Sequence, residues 1–77
     1  MSESEIVRRL LELRRQKPFV PFVIKTADGS RYEVTTALSF AIGNEMNRMV
    51  AVMGPTDRIY KFPRDTIVSI DVLEPAH

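Results

Sequence analysis

The chain has no cysteine, so neither a disulfide framework nor a thiolate metal cluster can stabilise it. Its single histidine, His77, is the final residue, which leaves no candidate for histidine metal ligation or general-base catalysis inside a fold. Three glycines cannot build the phosphate-cradling loops of Walker or dinucleotide type, and no Ser-His or Cys-His arrangement exists. Charge of one sign is also missing. Eleven Lys and Arg against ten Asp and Glu give a net charge of +1, which supplies no global pull toward nucleic acid or an anionic membrane. Apolar runs are only a few residues long, and acids and arginines occupy the N-terminal stretch where a signal peptide needs apolar residues. The expectations are a cytoplasmic protein with no membrane contact, no metal, no cofactor and no enzymatic activity.

What is present is enough for a core. A hydrophobic fraction of 44% with 27% charged residues fits a folded chain. At 77 residues it is expected to be one domain, 1–77, near the size at which a single core suffices. Burial is then the main source of stability, alone or shared with a second subunit.

Residues 3–16 carry helical periodicity. Ile6, Val7, Leu10, Leu11 and Leu13 share one arc, while Glu5, Arg8, Glu12 and Arg15 lie opposite. Ser2 and Glu5 have capping-box spacing, and Pro18 biases Lys17 away from helical dihedrals, ending the helix at about Gln16. Arg14 falls inside the apolar arc, where it reaches past the core to a partner or snorkels.

After Pro18 the period changes to two. Phe22, Ile24, Tyr32, Val34, Leu38, Phe40 and Ile42 hold even positions, and Lys25, Arg31, Glu33 and Ser39 hold odd ones. Strands are expected at about 20–27, 30–36, 38–43, 48–53 and 58–62, with a last strand at 67–73 after a 3₁₀ turn at 63–66. A three-residue loop Ala27-Asp28-Gly29, with Gly29 left-handed, sets Ile24 against Tyr32 and Phe22 against Val34; a two-residue loop would set Ile24 against Glu33 and break the parity. Turns are expected at Gly43 to Asn47 and at Gly54-Pro55-Thr56-Asp57. The fold class is α+β: an N-terminal helix with short antiparallel strands, either curled into a small barrel or left as an open meander sheet with the helix packed across it.

The order of helix, hairpin "IKTADGSRYEV", further strands, a Pro-containing turn and final strand "TIVSIDVLE" resembles the SH3-like barrels of the Sm class. Within that class Tyr60-Lys61 resembles the Tyr-Lys step of bacterial Sm-like RNA chaperones, whose lysine, followed by a histidine, belongs to an RNA-binding pore. The resemblance implies RNA contact by Tyr60 and Lys61. Phe62 stands where the histidine would be, Glu33-Val34-Thr35 lacks the second-strand glycine, and Thr36-Ala37-Leu38 lacks the polar motif of the following turn. The stretch "KPFVPFVIKTADGSRYEV" also looks like the opening of a group of short uncharacterised bacterial proteins, a likeness that implies no activity.

Two functional readings follow. A nucleic-acid reading uses Tyr60, Lys61 and Arg64, with Arg64 expected to be at least partly exposed in its turn, and Arg14 with the basic helix. Against it, Glu5–Arg9, Arg8–Glu12 and Glu12–Arg15 have the spacing of helix-face ion pairs, and aromatics alternating along strands are ordinarily core. A protein-interaction reading rests on "MVAVM", residues 49 to 53, apolar on both faces. One face can meet the core; Met49, Ala51 and Met53 on the other call for a second copy or a protein partner. The carboxylates Asp28, Glu33, Asp57, Asp65, Asp71 and Glu74 fall mostly in turns or on outward strand positions, which does not suit acid–base chemistry.

Overall fold

The computed structural model describes residues 2–44, 46–54 and 56–73. The expected turn members Glu45 and Pro55, the carboxylate of Glu74 and the sole histidine His77 lie outside the described residues.

Helix α1 spans Glu3–Arg15. Ser2 caps it, its Oγ accepting from the Glu5 N–H at 3.2 Å, which satisfies one of the donors left open at a helix start. Ile6, Leu10 and Leu13 are buried, whereas Leu11 is 36% exposed. The buried stripe is narrower than the apolar arc of the sequence because three side chains, one per turn, already fill the contact with the strands.

Six strands follow: β1 (Phe22–Thr26), β2 (Arg31–Val34), β3 (Phe40–Ile42), β4 (Met49–Met53), β5 (Ile59–Pro63) and β6 (Ile67–Val72). They form two three-stranded antiparallel sheets, ordered β2-β1-β6 and β3-β4-β5. Among the described residues no ladder joins the two sheets, so the architecture is α+β with two sheets, and the expected closed barrel is not seen.

The first hairpin has the register that parity demanded, with Phe22 opposite Val34 and Ile24 opposite Tyr32. Gly29 takes φ +87°, a conformation open to glycine at little cost. Thr26 and Ser30 close the turn through a bond from the Thr26 N–H to the Ser30 carbonyl at 3.1 Å. The Asp28 carboxylate accepts from the Ser30 N–H at 3.0 Å and from the Thr26 hydroxyl.

The expected strand 38–43 is shorter than its pattern. Ala37–Ser39 form a 3₁₀ turn, in which the Ser39 hydroxyl donates to the Thr36 carbonyl at 2.8 Å and accepts from the Thr36 N–H. Such local side-chain bonds offer the backbone an alternative to a ladder. Leu38 accordingly leaves the even-numbered apolar row and is 93% exposed. The second 3₁₀ turn, Arg64–Thr66, lies between β5 and β6 as the sequence indicated.

The core is one cluster. Ile6, Leu10 and Leu13 of α1 pack with Phe22, Ile24 and Val34 of the first sheet and with Phe40, Val50, Val52 and Phe62 of the second. Phe22 meets Phe40 edge-on, with ring centroids 5.5 Å apart. β1 is covered on both faces, since Val23 is buried as well as its neighbours. On its outer side the Lys25 Nζ lies 3.0 Å from Asp71 Oδ2.

Candidate functional site

Pairing within β3-β4-β5 divides its side chains by parity. Phe40 pairs with Val52, Ile42 with Val50, and these with Tyr60 and Phe62; all share the core-side parity, although Tyr60 itself is 38% exposed. The opposite face holds Ala41 on β3, Met49, Ala51 and Met53 on β4, and Ile59, Lys61 and Pro63 on β5. Only Lys61 is polar. Met53 and Ile59 sit directly opposite each other and are 47% and 57% exposed. Of the strand that the sequence marked as needing cover on two sides, Val50 and Val52 are buried on the core side, while on the outer side Met49 and Ala51 are half-buried and Met53 is exposed.

The residues named for nucleic-acid contact are not gathered into one place. Tyr60 and Lys61, adjacent in sequence, face opposite sides of β5. The Tyr60 ring lies against Tyr32, 5.5 Å between centroids, at the mouth of an open cleft, and Tyr32 stacks on Phe62 at 4.6 Å. Gly54 permits this, because a Cβ there would come within 3.0 Å of Tyr60 Cε2. Lys61 is exposed among the apolar residues of the outer face. Arg14 is half-buried, with its guanidinium 4.6 Å over the Phe40 ring and Nη2 donating to the Phe40 carbonyl at 3.2 Å.

Arg64 corrects the expectation of an exposed turn arginine: it is 3% exposed. Its Nε lies 3.0 Å from Glu3 Oε1, and its Nη2 donates to the Asn44 carbonyl at 3.4 Å. Glu3 also takes a bond on Oε2 from Arg48. Arg48 has φ +52°, and its own N–H and carbonyl bond to Asn44 O and to the Arg64 N–H. One carboxylate at the start of α1 therefore ties the β3–β4 loop to the turn before β6. A guanidinium so enclosed is not presented to a phosphate. The sequence carried no signal for this node beyond polar residues in two turns, because its three charges are brought together from positions far apart in the chain.

Between the free side of β2 and the β4–β5 turn runs an open cleft of about 390 Å³, lined by Ser30, Arg31, Tyr32, Glu33, Val52, Gly54 and Tyr60. An adjoining cleft of about 260 Å³ shares Glu33 and Gly54 with it. Neither cleft gathers carboxylates or a nucleophile–base pair. Among the described residues no group of three or more His, Cys, Asp or Glu side chains is placed to hold a metal ion, and no helix is long and apolar enough to cross a membrane.

Comparison of the chain with protein-family models, with curated proteins and with solved structures finds no match.

Proposed function

We propose that this chain is a non-enzymatic interaction module that self-associates or binds a protein partner in the cytoplasm, through the outer face of β3-β4-β5. The observation that carries the proposal is that outer face itself, apolar at every position but Lys61. Scattered exposed apolar residues are ordinary on a protein surface, but a contiguous apolar sheet face is characteristic of a contact surface. The two sheets are read as halves of an incompletely closed small barrel of SH3-like type. That reading is supported by the return of β6 to pair with β1 and by the 3₁₀ turn between β5 and β6. An Sm-like RNA-binding role has less support, since Tyr60, Lys61, Arg64 and Arg14 occupy four different environments.

Light scattering over a concentration series tests the proposal. Wild-type protein is expected to exceed its monomer mass of 8.8 kDa. The double variant Met53→Glu, Ile59→Glu is expected to lower that mass; because its two carboxylates face each other across the ladder, circular dichroism accompanies the measurement to show that it stays folded. A wild-type chain that stays monomeric, or a variant that keeps the wild-type mass, would overturn self-association through this face. The RNA reading predicts instead a raised absorbance ratio at low salt and a salt-sensitive shift with mixed RNA.

A further inference from the structure

We infer that two copies of this chain also join edge to edge through β2, in an antiparallel pairing centred on Tyr32. The inference rests on the reading that copies associate, and it adds a contact separate from the apolar sheet face.

The direction of the β2 backbone groups follows from the hairpin. The bond from the Thr26 N–H to the Ser30 carbonyl makes Thr26 and Ser30 a hydrogen-bonded pair. Bonded and non-bonded pairs alternate along an antiparallel ladder, so Tyr32 and Val34 bond to β1 while the N–H and C=O groups of Arg31 and Glu33 point away from it. β2 is an edge strand, and among the described residues those groups take no backbone bond and face the open clefts whose far wall is formed by Val52, Gly54 and Tyr60. Unpaired edge groups of this kind are a template for another strand.

Charge selects the occupant. Arg31 and Glu33 are exposed, two residues apart on one face, and neither has an ion-pair partner among the described residues. An antiparallel copy centred on Tyr32 sets Arg31 opposite Glu33 of the second copy, and Glu33 opposite Arg31 of the second copy. Both are hydrogen-bonded positions, so the contact is closed, two-fold and self-complementary in charge. The other edges lack this match: β3 has three residues, β5 carries Pro63, and Asp71 of β6 is already paired with Lys25. An unrelated extended peptide could meet the same backbone groups, but nothing in its charge would be prescribed.

The test is made in the Met53→Glu, Ile59→Glu background, which removes the sheet-face contact. That protein is expected to be a dimer at high concentration. Adding Arg31→Glu or Glu33→Arg alone, which opposes like charges, is expected to give monomers. Mixing those two monomeric proteins is expected to restore a dimer, since each supplies what the other strand lacks. In the unaltered chain, exchange of the Arg31 and Glu33 amide hydrogens is expected to slow as concentration rises, a readout that needs no variant to fold. A background protein that is monomeric throughout, single charge reversals that remain dimeric, a mixture that stays monomeric, or exchange independent of concentration would each overturn the edge pairing. A mass unchanged by Met53→Glu, Ile59→Glu would instead count against the sheet-face reading.

Discussion

A single carboxylate carries an unusual share of the connections in this molecule. Arg64 is buried, and Glu3 supplies the opposite charge beside it. Removing Glu3 takes the carboxylate away from an enclosed guanidinium, which costs more than the pair itself contributes. Glu3→Ala is therefore expected to lower the unfolding free energy by about 2 kcal/mol, measured by urea denaturation. Replacing both residues, as Glu3→Leu with Arg64→Met, is expected to cost less than the single change. The burial of Arg64 was not legible in the sequence. A basic residue in a Pro-led turn reads as surface, and the distant Glu3 and Asn44 that meet Arg64 in the fold cannot be inferred from the turn itself.

At the scale of elements, local chemistry was the most readable. Ser2 caps α1, and Gly29 supplies the left-handed residue that fixes the register of the first hairpin. The same hairpin gives a pH dependence. The Thr26 hydroxyl first, and then the Ser30 N–H, hold the Asp28 carboxyl below its ordinary range. A carboxylate whose pKa is lowered on folding stabilises the fold above the unfolded value, about 4, and that contribution is lost as pH falls through the lower folded value. The urea midpoint is expected to decline as pH falls below about 4, with part of that decline absent in Asp28→Asn. The sequence failed at 37–39, where the alternating pattern ran through a segment that the Ser39 hydroxyl folds into a turn. Periodicity reports which residues are apolar. It does not report a side chain that competes with the ladder.

For the whole molecule, the helix, the strand positions and most of the core could be read from spacing alone, but the division into two sheets could not. Whether a meander closes depends on where its strands bend, and that depends on contacts between distant segments such as β1 with β6. The apolar outer face of β4 was legible because parity there has no polar alternation. β6 matters more to the whole than its exposure implies, since it covers one side of β1, the strand buried on both faces. A chain ending at residue 66 is expected to lose the cooperative unfolding transition seen by circular dichroism, because Phe22 and Ile24 would then border an open edge.

The pairing of β1 with β6 also sets an order of events during synthesis. β1 and β2 leave the ribosome early, and the strand that completes their sheet is the last of the six to be made. β3, β4 and β5 are consecutive and can assemble from local contacts, whereas the first sheet must wait for a segment more than forty residues downstream of β1. Until then the most fully buried strand of the protein has one side open to any passing chain. Nascent protein is thus most exposed to mispairing and to chaperone capture just before β6 emerges.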